Sequence, residues 1–431
     1  MIPGRARGSL PYGHDIFFTR KPSVPLPAPP PEPEGSFTSM LPREPILPFS
    51  RPEIGEEEIA EVVRCLRSGW ITTGPLTAQF EKEFAEAHGA RHALSFSSAT
   101  GALHAVYLAL GLGPGDEVVV PGLTWPSTSN MVVACGATPV FADIDPLTWN
   151  LDPAALARAL TPRTRMIVPV HFAGQPADLD GIRAVLHAAG RPDVLIVEDA
   201  AHAAGAAYKG RPIGACTANG TTAACFSFHP IKNMTTGEGG MVTTDDDALA
   251  ARIKLWKFHG VQRDAWKAYS AAEKAPATYD VVLPGFKYNL TDIQSALGIH
   301  QLRKLPRFNA RRAAIAGVYR SELASLTGTD GLHLPGDAPY DHLHPWHLFT
   351  VLPPRRAPFM ERLRELGIGT GLHFEAVHLH TFYRERFGYG EGLLPVAEDV
   401  CSRIVSLPLF PSLSDEDVAD VVAAVREVVH A

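Results

Sequence analysis

The residues of this 431-residue chain best placed for chemistry each stand directly after a short apolar run. Lys232 lies beyond the run 224–228, in Phe226-Ser227-Phe228-His229-Pro230-Ile231-Lys232-Asn233. A lysine past a buried-looking strand, beside a serine and a histidine, suits Schiff-base formation, because partial desolvation leaves its amine neutral and nucleophilic near neutral pH. With Gly237, Gly239 and Gly240 following, the stretch also reads as a plain glycine-rich turn between two strands. Glu198 and Asp199 end the run at 194–197. A carboxylate there is a solvated strand end, a helix cap or the partner of a buried cation. His202 shares a helical face with Asp199 if a helix begins at that point. Ser97-Ser98-Ala99-Thr100-Gly101 opens an amphipathic stretch. Small residues with free N–H groups make either an anion site or an ordinary N-cap. Trp125 follows the run 118–120.

The elements that must position these residues alternate. Apolar runs at 117–120, 139–142, 166–170, 194–197 and 224–228 are separated by helical patterns such as 100–111 and 178–189. That alternation predicts an α/β fold with a largely parallel sheet, and in such sheets ligands bind beyond the carboxyl ends of the strands. Ile59, Val62, Val63 and Leu66 fall on one face of a helix over 55–68, with Gly69 at its C-terminal cap. From about residue 300 the pattern changes to a helix over 308–325, a strand over 346–352, a helix over 358–366 and a last helix near 414–429. The expected organisation is a proline-rich, disordered tail over 1–36, a large domain over 37–300 and a smaller C-terminal α+β domain over 301–431.

Composition narrows the function classes. The net charge of -7 is spread along the chain with no long basic run, so nucleic acid is not an expected partner. No apolar stretch reaches the ~20 residues of a membrane helix, and no signal-peptide pattern follows Arg5 and Arg7. Five scattered cysteines, Cys65, Cys135, Cys216, Cys225 and Cys401, show no metal spacing. They point to a reducing cytoplasm and no bound metal, with Cys135 and Cys225 as buried thiols.

Taken in order, these pieces resemble the nucleotide-sugar aminotransferases, pyridoxal-phosphate (PLP) enzymes of fold type I. The resemblance rests on the Ser-Ala-Thr helix start, Leu123-Thr124-Trp125, Glu198-Asp199-Ala200-Ala201-His202 and Ser227 to Asn233. It extends to Tyr288-Asn289-Leu290-Thr291-Asp292-Ile293, Trp346-His347-Leu348-Phe349 and Ser406-Leu407-Pro408-Leu409. Gly367 to Phe374 and Tyr383-Arg384-Glu385-Arg386-Phe387 are similar to the members that form UDP-4-amino-4-deoxy-L-arabinose from the 4-keto-pentose with glutamate. The resemblance implies that Lys232 carries PLP and shuttles the proton, and that Asp199 pairs with the pyridinium nitrogen. It implies that Trp125 stacks on the ring, His202 lies near the ring oxygen, and Ala99, Thr100 and Ser227 hold the phosphate. It implies a homodimer in which Asn289 completes the partner's phosphate site. In that segment many members read Gly-Tyr-Asn-Tyr-Arg where this chain has Gly285-Phe286-Lys287-Tyr288-Asn289. The implied reaction moves an amino group from L-glutamate, giving 2-oxoglutarate, to a nucleotide-linked 4-keto sugar. A TDP-keto-hexose or a keto-cyclitol as acceptor stays open, as does a non-catalytic PLP-binding protein. The proline-rich tail and the Ala/Arg-rich composition suit secondary metabolism. A dehydratase of the same family is disfavoured, because those enzymes carry histidine at the position of Lys232.

Overall fold

Residues 43–262, 279–328 and 331–430 are described by the structure, a computed structural model, and all of them belong to one compact unit. The expected tail over 1–36 lies outside the described residues. In chain order the strands are β1 (His92–Phe96), β2 (Glu117–Pro121), β3 (Thr138–Ala142), β4 (Thr164–Ile167), β5 (Leu195–Asp199), β6 (Ala207–Tyr208), β7 (Arg211–Pro212), β8 (Ala223–Ser227), β9 (Gly240–Thr244), β10 (His342–Leu343), β11 (Phe349–Val351) and β12 (Val405–Leu407). The central sheet runs β1-β9-β8-β5-β4-β2-β3. Its pairs are parallel from β3 to β8, and only β9 is antiparallel to its neighbours. Val118, Val119 and Val120 are fully buried, as expected for a strand covered by helices on both faces. The run 166–170 leaves the ladder after Ile167, and Val170 makes only an isolated bridge to Asp199. Pro169 lies between them and has no N–H to pair.

The second lobe is built on the antiparallel pair β11–β12 and the helices Arg356–Glu365 and Asp415–His430. Its core joins Leu47, Phe349, Phe359, Val405 and Val421 to Ile315, Tyr319 and Leu323. The last three belong to the helix Asp292–Leu323, which is longer than the expected 308–325. Thr291 caps it, its side chain accepting from the Gln294 N–H, and Pro306 lies in its interior. Early in this helix Ile299, Leu302 and Leu305 pack in the cluster of Phe80 and Phe84. The boundary expected at residue 300 thus falls inside one continuous helix, because packing from both lobes carries the helix through its proline.

The helix Glu56–Ser68 ends at Gly69 in the left-handed region, φ 76, as its glycine cap predicts. Its buried residues, however, are Glu58, Glu61 and Cys65, while Ile59 and Leu66 are exposed. The polar face turns inward because Glu58 meets Lys304 at 2.7 Å and Gln301 at 2.8 Å. The apolar face, with Trp70 and Ile71 beside it in sequence, stays open on the protomer.

Segment 288–292 is tied down at both ends. Asp292, 1% exposed, accepts from the Gly74, Leu76 and Thr77 N–H groups and from the Thr77 hydroxyl at 2.6–3.1 Å. The Ser97 N–H donates to the Tyr288 carbonyl at 2.7 Å. Residues far apart in sequence therefore meet at the helix start after β1. Among the described residues no helix is long and apolar enough to cross a membrane.

Candidate active site

The carboxyl ends of β1, β2, β5 and β8 meet at one edge of the sheet, where an open α/β sheet binds its ligand. After β1, Ser98 caps the helix Ala99–Ala109 by accepting from the Gly101 N–H at 3.1 Å. Ala99 and Thr100 are half-buried at this helix start. Gly240, the first residue of β9, presses against it. A Cβ there would lie 2.6 Å from the Ser98 carbonyl carbon and 2.7 Å from the Ala99 nitrogen, so only glycine fits. Ser227, the last residue of β8, is half-buried and pairs with Gly240.

Successive side chains of a strand face opposite ways, and the two acids ending β5 part accordingly. Glu198 points away from the cleft. It meets His171 Nε2 at 2.8 Å, both side chains being fully buried, and accepts from the Thr221 hydroxyl at 2.6 Å. The Ala177 N–H donates to His171 Nδ1, so Nε2 carries the proton given to Glu198. Asp199 faces the cleft, 5% exposed, accepting from the Thr128 hydroxyl at 2.7 Å and the Ala201 N–H at 3.1 Å. Burial raises its pKa; the two hydrogen bonds and the nearby Lys232 work against that rise. Thr128 sits one turn after Trp125, so the same turn that presents the indole also grips the carboxylate. Trp125 is 60% exposed, its ring 5.6 Å from that of Phe374.

Lys232 lies at the floor of the cleft. Burial pushes its ammonium down to about 7, against the pull of Asp199, which leaves a large neutral fraction at neutral pH. Its amine is 3.5 Å from His347 Nε2. His202 does not begin a helix; it lies in a turn closed by the Ala203 N–H on the Ala200 carbonyl. The Ala173 N–H donates to His202 Nδ1 at 3.2 Å, which puts the ring proton on Nε2. Ala173 reaches that position with φ 55, a left-handed conformation costing about 1–2 kcal/mol for a residue with a Cβ. Burial, then the nearby Lys232, holds His202 well below its ordinary pKa and hence neutral. His373 is likewise pushed down, to about 3, by burial and then by Lys232.

The expected residues Ala99, Thr100, Trp125, Asp199, His202, Ser227 and Lys232 all fall at this sheet edge. Asn289 follows Tyr288 beside the helix start, but its side-chain amide donates to the Thr73 hydroxyl of its own chain at 2.6 Å. His347, Thr128, Ala173 and His373 were not expected. Of these, His347 stood in Trp346-His347-Leu348-Phe349 and His373 in the stretch Gly367 to Phe374, and no role followed from either position. The five cysteines are free; Cys225 is buried as expected, and Cys135 is half-buried.

The groups present fit PLP. A helix start suits a phosphate, a buried carboxylate with spare acceptor capacity suits a ring N–H, and an amine with a large neutral fraction suits an aldehyde. Fold and site together define a PLP-dependent enzyme of fold type I. The DegT/DnrJ/EryC1/StrS aminotransferase family profile matches residues 52–426, and the chain belongs to that family. Streptococcus pneumoniae Spr1654, solved in PLP, PMP and apo forms, is similar at 32% identity; for the PMP form the TM-score is 0.81 over 89% of this chain and 98% of that one. S. venezuelae DesV, solved with a ketimine intermediate, is 38% identical with TM-score 0.77 over 87% and 95%. The sugar aminotransferase CalS13 from Micromonospora echinospora is 31% identical with TM-score 0.78 over 88% and 99%. The protein is a sugar aminotransferase that uses PLP.

Proposed function

We propose that the protein transfers the amino group of L-glutamate to a nucleotide-linked 4-keto sugar, a 4-keto-pentose, with Lys232 as the cofactor lysine. The observation that carries the role of Lys232 is its place just beyond β8, the strand paired with the one that ends in Asp199; burial there pushes its ammonium down to about 7. PLP, when bound, supplies a conjugated ring that absorbs the electron pair of a breaking C–H bond. Lys232 then takes the proton from one carbon and returns it to the other. Asp199, ionised, keeps the ring nitrogen protonated. Trp125 would cover the face of a bound ring, and the Nε2–H of His202 would be the donor for its ring oxygen. Ala99 and Thr100 offer amides, and Ser227 a hydroxyl, to the phosphate. The choice of a pentose rests on the similarity of Gly367 to Phe374 and of Tyr383 to Phe387 to the members that aminate a UDP-4-keto-pentose.

Offered 2-oxoglutarate and a panel of UDP- and TDP-linked amino sugars, the enzyme is expected to release glutamate fastest with the UDP-4-amino-pentose. Glutamate formed only from TDP-amino-hexoses, or from none of the panel, would refute this acceptor.

The working unit is a homodimer, with Asn289 reaching the partner's phosphate site. The exposed Ile59, Leu66, Trp70 and Ile71 support this reading, since an apolar face of that kind marks an interaction surface. Lys232→Ala and Asn289→Asp are each expected to be inactive. Refolded together, they form mixed dimers with one site carrying both defects and one carrying neither. Partial recovery of activity is expected; mixed dimers without recovery would assign Asn289 to its own subunit's site or to none.

A further inference from the structure

Among the described residues the Lys232 amine has a single hydrogen-bonding neighbour, His347 Nε2 at 3.5 Å. The His347 ring is 1% exposed, and its Nδ1 has no partner among the described residues. A histidine kept for packing normally spends its nitrogens on the fold. His171 does so at both ends, His202 gives Nδ1 to Ala173, and His373 meets the Ser406 hydroxyl at 2.9 Å. The ring of His347 packs on that of His202 at 4.4 Å but gives no hydrogen bond to the fold, and its backbone is pinned. Arg312, 2% exposed and paired with no carboxylate among the described residues, donates to the carbonyls of His347 at 3.2 Å and Leu409 at 2.8 Å. Trp346, directly before it, holds φ 48 and stacks on His344 at 4.0 Å. A left-handed tryptophan is strained and persists only where the surroundings over-determine it. The chain is thus bent and clamped so that this imidazole meets the lysine.

The ring is neutral. Burial lowers its pKa well below the ordinary value, and the positive charges of Lys232 and Arg312 would add to the cost of protonating it. The charged or titratable groups facing the amine are Asp199, which favours the ammonium, and His347, His202 and His373, which as neutral rings do not oppose it by charge. Beside an ammonium, a neutral imidazole can only accept, so its proton sits on Nδ1 and its lone pair on Nε2.

We propose that His347 is the hydrogen-bond acceptor that steadies and orients the Lys232 ammonium while that lysine carries the proton of the transfer reaction. The inference rests on the reading of Lys232 as cofactor lysine and proton carrier. The proton leaves a substrate carbon for the Nζ lone pair, and the C–H electron pair stays with the conjugated system. The N–H bond to that proton then breaks as it passes to the second carbon, restoring the amine. His347 gains and loses no proton. By holding one N–H it turns the others toward the carbons.

Two replacements separate this role from packing: His347→Leu removes the acceptor, and His347→Gln retains one. In cofactor-free protein, competitive acetylation across pH, read by mass spectrometry on the Lys232 peptide, titrates the amine. Leu is expected to lower the ammonium-to-amine ratio at a given pH by about tenfold, and Gln by less than about twofold. With cofactor bound, single turnover of L-glutamate deuterated at the α-carbon should slow by roughly 10²-fold in the Leu variant, with a larger isotope effect, and keep its wild-type isotope effect in the Gln variant. Unchanged titration and isotope effect in the Leu variant, or equal losses in both variants, would overturn the proposal. Should neither variant fold, Lys232→Met in protein carrying ¹⁵N-labelled histidine should move the ring-nitrogen signals of His347, and unmoved signals would overturn it too. A Lys232→Ala variant that still binds cofactor covalently would instead refute the lysine assignment, and the amine titration would stand apart from that result.

Discussion

Lys232→Ala is expected to lose turnover altogether, a drop of roughly 10⁴-fold or more, because one side chain serves both as covalent anchor and as proton carrier. The variant should fold. Lys232 makes no ion pair among the described residues, and its one hydrogen-bonding contact is with His347 at 3.5 Å. Removing a buried amine pushed down to about 7 also removes a group costly to charge in place. The visible absorption of lysine-bound cofactor should vanish, and borohydride should no longer fix cofactor to the 232 peptide. Full absorption with full activity would move the anchor to another lysine.

Asp199→Asn is expected to keep the fold and the bound cofactor and to lose roughly 10²–10³-fold in kcat. The amide is nearly isosteric, and its oxygen can still accept from the Thr128 hydroxyl or the Ala201 N–H. It lacks the charge that holds a proton on the ring nitrogen, and that charge matters most when the ring takes up electrons. Steady-state kinetics with the absorption spectrum of the bound cofactor decides the matter. Wild-type kcat would refute the role, and a misfolded protein by circular dichroism would point to scaffolding instead.

Lys232, Asp199, Trp125 and the Ser98–Thr100 stretch were legible in the sequence for a common reason. Each follows an apolar run, and a parallel sheet gathers such ends at one edge. Contacts made across the fold left no such trace. Thr128 reaches Asp199 across 71 residues, and His347 reaches Lys232 across 115; the first depends on how the helix Ser127–Ala134 docks and the second on how the segment before β11 settles over the sheet. The helix Glu56–Ser68 shows a second limit. Its periodicity correctly finds an apolar face, but which face is buried depends on partners, and Glu58 finds Lys304 and Gln301 in a distant helix. No helix begins after β5, so the shared helical face that would have aligned His202 with Asp199 does not form. Their common placement comes instead from a tight turn and from the N–H of a left-handed Ala173. A left-handed alanine has no signature in composition or period.

The helix Asp292–Leu323 carries a consequence for how the molecule comes apart. Its first turns complete the packing around Phe80 and Phe84, and its later turns complete the core of the second lobe. Unravelling either lobe strips one flank of a helix that the other needs, so the free energies of the two are coupled through a shared element. Pro306, lying between the two sets of contacts, has no N–H for the carbonyl of Leu302. The helix interior is therefore weakest at the junction between the lobes, where one backbone hydrogen bond is missing.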